Sequence, residues 1–144
     1  MDRPELAESL FRQGFACAQA VLAAHAGGEL ALEPALKLGE GFAAGICGLG
    51  HVCGAVAGAV MVIGLRHGRT RPDDLEARDD VNRRVRALLA RFEARHGSSE
   101  CRVLLGQAVD TPERRQAARD SGLFQRVCPP LVRSAAELLE DALV

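Results

Sequence analysis

Apolar residues recur along this chain at helical spacing, and Gly or Pro closes most of the resulting segments. Asp2 is placed to cap a first helix, with Pro4 in its opening turn and Leu6, Leu10 and Phe11 along one side. Gly14 ends or kinks that helix. Phe15 to Ala26 reads as a second, stopped by Gly27-Gly28. Pro34 opens a short third. Asp73 or Asp74 starts the longest segment, which runs to about His96 and stops at Gly97. Its apolar stripe, Val81, Val85, Leu88 and Phe92, alternates spacings of four and three. Asp79 with Arg83, and Asp80 with Arg84, form favourable pairs on its outer face. Ser98 or Ser99 caps a shorter helix over Cys101 to Gly106. Thr111-Pro112 opens another that ends near Gly122, and Cys128-Pro129-Pro130 leads into an amphipathic last helix. No strand pattern, internal repeat or low-complexity linker interrupts the series. The pattern predicts one all-α domain over residues 1–144, a bundle of about six or seven helices.

The stretch from Gly39 to Gly68 organises the rest. Between Glu40 and Arg66 only His51 can carry a charge. From His51 to Leu65 it reads as a helix, although each Gly costs about 1 kcal/mol relative to Ala at a helical position. Gly50, Gly54 and Gly58 recur every four residues and so stack on one side, where another backbone can approach closely. Val52, Val56, Val60, Ile63 and Leu65 supply bulk elsewhere, and a helix apolar nearly all round is buried. This is the expected central helix, with the others packed round it. A membrane span over Gly41 to Leu65 is disfavoured: half the run is glycine-dense, its continuous apolar helix is short, and the chain has no Trp or Tyr for an interfacial belt.

Composition narrows the function. The length and apolar content suffice for one real core, built on Ala, Val and Leu because the only aromatics are five Phe. A net charge of −1 argues against a dedicated nucleic-acid binder. Arg66 to Arg126 is mildly basic, but its arginines alternate with Asp and Glu, as on a solvated helix face. Asp2, Glu5 and Glu8 interrupt any leader-like apolar run, so residence in the cytoplasm is expected, where structural disulfides are uncommon. Five cysteines there call for metal, redox chemistry or simple burial.

Cys17 falls in the first turn of the second helix, Cys53 in that of the central helix, Cys101 three residues after a Ser cap, and Cys128 directly before a proline-led helix. Helix N-termini favour thiolate, the form that ligates metal, attacks disulfides and is oxidised. The distribution suggests that four N-termini converge on one site. The bland alternative is that these cysteines are small apolar core fillers. No C-x-x-C, ferredoxin-type run or zinc-ribbon spacing is present, and without C-x-x-C-H no covalent haem is expected. A Walker motif, a completed G-x-G-x-x-G, G-x-S-x-G and H-E-x-x-H are likewise missing.

The pieces G-F-A-C-A-Q-A-V-L at Gly14 to Leu22 and V-C-G-A-V-A-G-A-V-M-V-I-G-L-R-H-G at Val52 to Gly68 resemble one family. So do R-F-E-A-R-H-G-S-S-E-C-R-V-L-L-G at Arg91 to Gly106 and C-P-P-L-V from Cys128. It is the family of redox-active proteins named for its cysteine pattern, C_GCAxxG_C_C. The resemblance covers nearly the whole chain, and the characteristic cysteines fall on Cys17, Cys53, Cys101 and Cys128. It implies a small helical domain with a cysteine-dependent redox or metal site. A similar domain accompanies a haem module in a bacterial multi-haem cytochrome, where an iron–sulfur site is suggested. The expectation is therefore an iron–sulfur cluster on these four thiolates, serving electron transfer with a redox partner protein. Ligand count suits a [2Fe–2S] centre and a zinc ion equally well. Any activity would be that of an oxidoreductase or electron carrier.

Two departures stand out. Cys47 is an additional thiol in F-A-A-G-I-C-G, and His51 stands where a polar, often acidic, residue is more usual. Both flank Cys53 closely enough to be accessory to the site, or Cys47 resolves a disulfide with Cys53, or it is an inconsequential loop residue. Two alternatives to the cluster stay open. One is a metal-free thiol–disulfide or sensing protein. The other is a structural module with buried cysteines, whose glycine-ridged and C-terminal helices serve a homodimer.

Overall fold

Asp2 caps the first helix, α1 (Arg3–Arg12), as the sequence directs. Its carboxylate accepts from the Glu5 amide at 2.8 Å while the Glu5 carboxylate accepts from the Asp2 amide at 3.0 Å, a reciprocal capping box. The computed structural model describes residues 1–144, and α1 is followed there by α2 (Cys17–His25), α3 (Leu32–Gly39) and α4 (Gly54–His67). Then come α5 (Leu75–His96), α6 (Cys101–Leu105), α7 (Pro112–Asp120) and α8 (Leu123–Leu143). A single 3-10 turn, Glu40–Phe42, follows α3. The all-α class is as expected, with eight helices rather than about six or seven. The one strand-like feature is an isolated antiparallel bridge between Val52 and Glu100.

Helix α4 is the centre of the bundle. Gly54 to Ala59, Val62 and Ile63 are buried on it, and α2, α5 and α8 pack against it. It starts three residues later than the periodicity suggests, so Gly50 lies in the preceding loop with φ 78°. The glycine ridge is Gly54 and Gly58. A Cβ on Gly58 would stand 2.9 Å from the Ala18 carbonyl oxygen and 3.1 Å from Val21 Cβ, and one on Gly54 would stand 3.1 Å from Cys17 Cβ. These two missing side chains let α2 lie against α4, and they set Cys17 over the start of the central helix.

Helix α8 departs most from expectation. It begins at Leu123, after Gly122 in the left-handed conformation, and runs through Pro129 and Pro130. The two prolines remove N–H donors that would bond the Gln125 and Arg126 carbonyls, at a cost of about 3 kcal/mol or more for an interior proline. The helix persists because an apolar stripe spanning both sides of the prolines, from Leu123 and Cys128 to Val132, Ala135 and Leu139, is buried against α1, α4 and α5. Proline thus marks the middle of this helix, not its start. No helix is long and apolar enough to cross a membrane.

Candidate functional site

Each cysteine is placed by a separate device. Cys17 is the first residue of α2, whose N-cap, Ala16, has no side chain to offer. The buried Gln19 does the work instead: its Oε1 accepts from the Ala16 amide at 2.9 Å and its Nε2 donates to the Leu36 carbonyl at 2.9 Å, tying the start of α2 to α3. Cys53 is the N-cap of α4; its side chain makes no capping hydrogen bond, and its sulfur feels the nearby Ala55 and Val56 amides only as a pull that partly offsets burial. Cys101 is the first residue of α6, with Glu100 at the cap rather than Ser98 or Ser99. The backbone bridge joins these last two. The Cys53 amide donates to the Ser99 carbonyl at 2.7 Å, and the Cys101 amide donates to the His51 carbonyl at 2.7 Å. Cys128 lies in the sixth position of α8, not at a helix start, so no helix N-terminus acts on it. Three of the four inner cysteines sit at helix N-termini, one fewer than the sequence suggests.

All five cysteines nevertheless line one cavity of about 740 Å³. Cys53, Cys101 and Cys128 are buried in it, Cys17 is partly exposed, and Cys47 is exposed. His51 does not line the cavity; it is exposed and contributes its backbone carbonyl to Cys101. No three His, Cys, Asp or Glu side chains are close enough together to close on one metal ion as they stand.

Burial dominates the titration of Cys53 and Cys101, and neither Arg115 nor Arg119, which line the same cavity, offsets it. Burial pushes Cys53 up to about 11 against the pull of the Val56 and Ala55 amides. Burial, and then the proximity of Cys53 and Cys128, pushes Cys101 up to about 12. Cys17 and Cys128 titrate as a pair. The mutual interaction of the two thiols, then burial, raises Cys17 well above an ordinary thiol, while the same interaction lowers Cys128.

The loop carrying Cys47 is left-handed through five consecutive residues: φ is 52° at Ala44, 71° at Gly45, 66° at Ile46, 41° at Cys47 and 85° at Gly48. Each non-glycine residue there costs about 1–2 kcal/mol, and a β-branched Ile is especially unfavourable. Long-reach backbone bonds hold the turn, among them Cys47 amide to Gly41 carbonyl at 2.9 Å and His51 amide to Gly45 carbonyl at 2.9 Å. Gly45 is indispensable to the packing, since a Cβ there would lie 2.6 Å from the His51 nitrogen and 2.7 Å from Cys101 Cβ. Sequence reasoning saw the density of glycine here but not its handedness. It also missed Gln19, Arg115 and Arg119, which line the same cavity; nothing local marks residues on α7 as neighbours of Cys47.

Residues 15–142 match the family model described as "Putative redox-active protein (C_GCAxxG_C_C)". The match takes in all five cysteines. No curated protein and no solved structure matches the chain.

Proposed function

The chain belongs to the C_GCAxxG_C_C family of redox-active proteins, and we propose that Cys17, Cys53, Cys101 and Cys128 hold an iron–sulfur cluster that serves electron transfer. The observation that carries this reading is the convergence of these four cysteines, from four different helices, on one cavity. The donor set fits. Burial holds the Cys53 and Cys101 thiols in their protonated form, and a metal centre would supply the positive charge that lets them ionise. A single tetrahedral ion with metal–sulfur bonds of about 2.3 Å needs its sulfurs about 3.8 Å apart. The side chains are not gathered that tightly. A cluster distributes its thiolates over several irons and so suits a wider spread.

When bound, the cluster supplies one-electron redox chemistry. The chain supplies its setting. The Ala55 and Val56 amides at the start of α4 pull the Cys53 thiol toward its thiolate, an influence of the kind that tunes a cluster's potential. Burial of Cys53, Cys101 and Cys128 keeps water from one side, while the open rim leaves the other side accessible to a redox partner. Cys53→Ser is expected to lose bound iron while the far-ultraviolet circular dichroism keeps its helical signature. Full iron retention by that variant would remove Cys53 from the ligand set.

A second reading, dithiol–disulfide exchange without metal, is favoured by one observation: Cys17 and Cys128 line the same cavity and shift each other's titration, Cys17 upward and Cys128 downward. Alkylation and intact mass before and after mild oxidation separate the two readings. Reversible loss of two hydrogens, their electrons passing to the added oxidant, confined to Cys17 and Cys128, supports the second.

A further inference from the structure

The cavity extends well beyond the four inner sulfurs. It reaches from buried Cys53, Cys101 and Cys128 to a rim where Glu40, Cys47, Arg119 and Gln125 are exposed. Its volume of about 740 Å³ lies within the range of small-molecule sites, about 300–1,000 Å³. Two guanidiniums border it. Arg115 and Arg119 are one turn apart on α7 and so share a face. Neither stands within ion-pair distance of a carboxylate: Arg115 donates to the Val109 carbonyl at 3.3 Å, and Arg119 to the Gln116 side-chain oxygen at 3.5 Å. Arg114, beside them on the same helix, is by contrast paired with Asp110 at 2.7 Å. Arg115 also reaches the thiol loop, since a Cβ on Gly48 would stand 2.7 Å from its Nη1. An exposed thiol and two guanidiniums without a direct ion pair therefore share one concave rim, with Glu40 the only acid lining it and Asp110 feeling the charge of Arg115 from nearby.

We propose that this rim binds a small carboxylate-bearing disulfide, whose carboxylates engage Arg115 and Arg119 while Cys47 attacks one of its sulfurs. The planar guanidinium suits bidentate recognition of a carboxylate. Cys47 first yields its proton to solvent, and the thiolate forms one S–S bond to the nearer sulfur of R–S–S–R. The original S–S bond breaks, and R–S⁻ departs and takes a proton from water. The Cys47 sulfur is oxidised as the departing sulfur is reduced, leaving a Cys47–S–S–R mixed disulfide. The proposal goes beyond the cluster reading and does not depend on it, because Cys47 is not among the four inner thiols.

Oxidised glutathione, which is anionic, and cystamine, which is cationic, are the probes. Each is incubated with the full chain, and adducts are located by intact mass and peptide mapping. Each rate is divided by that probe's rate with an unstructured, uncharged cysteine peptide. The expected result is modification at Cys47, with a normalised rate about tenfold higher for glutathione disulfide, the lower end of what a charged cleft delivers. That advantage should shrink as salt is added and disappear in Arg115→Gln/Arg119→Gln. Cys47→Ser should take up no glutathione while retaining its circular dichroism. Arg119 is exposed, so Arg119→Gln alone reads the effect without disturbing the fold. Adducts on the inner cysteines instead, equal normalised rates for the two probes, or an undiminished preference in the arginine variants would overturn the proposal.

Discussion

Cys53 and Cys101 are held by the same piece of backbone: each lies one residue beyond the Val52–Glu100 bridge, and each donates its amide across it at 2.7 Å. Two of the four inner thiols are thus set against each other by main-chain hydrogen bonds, without any side chain as intermediary. The other two arrive on helices packed against α4. Half of the site is therefore organised by a loop and half by the bundle core, and the two halves can be perturbed separately.

The loop half depends on Gly45. Its φ of 71° disfavours any Cβ, and a Cβ would in any case collide with the His51 nitrogen and Cys101 Cβ at 2.6 and 2.7 Å. Gly45→Ala is expected to destabilise the protein by about 1–3 kcal/mol and to lower metal retention by displacing Cys101. Thermal unfolding and iron content check both. An unchanged melting temperature with full iron would show that the loop does not set Cys101.

The bundle half depends on Gly58. Alanine there places a methyl group 2.9 Å from the Ala18 carbonyl oxygen and 3.1 Å from Val21 Cβ. Separation of α2 from α4 should cost about 1–3 kcal/mol, more than the helix propensity it gains. Gly64, on the same helix, has no such neighbour within 4 Å. Gly64→Ala should therefore stabilise by about 0.5–1 kcal/mol. Opposite signs for the two substitutions in denaturant unfolding are the expected outcome.

Burial of the thiols makes the metal-free, reduced protein sensitive to alkaline pH. Cys53 is raised to about 11 and Cys101 to about 12, whereas unfolded thiols titrate near 9.0. Stability gained by keeping them protonated is complete below about pH 9 and is lost as pH rises through 11 to 12, because the unfolded chain gives up its protons first. Cys17 acts in the same direction and Cys128 opposes it. The chain has no Tyr and a single Lys, Lys37, so few other groups titrate in this window. Unfolding free energy should fall there by an amount on the order of 2 kcal/mol for Cys53, and Cys53→Ala should remove that share of the slope. A pH-independent stability would mean that the inner thiols are not buried as described.

The fold was legible because its signals are local: Asp2 and Asp74 cap their helices, Gly97 ends α5, and the Val81–Phe92 stripe is strictly helical. Gly54 and Gly58 announced the close approach of another helix, although not that its partner is α2. The four inner cysteines were legible from their family pattern. Cys128 was misplaced because two prolines ordinarily mark a helix start, a local preference that the buried face of α8 overrides. Arg115 and the left-handed turn at Ala44 to Gly48 were not legible, since long-range packing places the first and a network of backbone bonds holds the second. Asp80 pairs with Arg84 at 2.9 Å as its spacing suggests, but Arg83 turns to Asp80 as well and not to Asp79, the partner its spacing suggests.

The most direct measurement is the visible spectrum, with iron and acid-labile sulfide analysis, of the protein purified without oxygen. The account expects coloured protein with sulfur-to-iron charge-transfer bands and matching iron and sulfide. That signal should be lost in Cys17→Ser, Cys53→Ser, Cys101→Ser and Cys128→Ser and kept in Cys47→Ser. Colourless, iron-free wild-type protein, or a colour that survives replacement of the four inner cysteines, would contradict it.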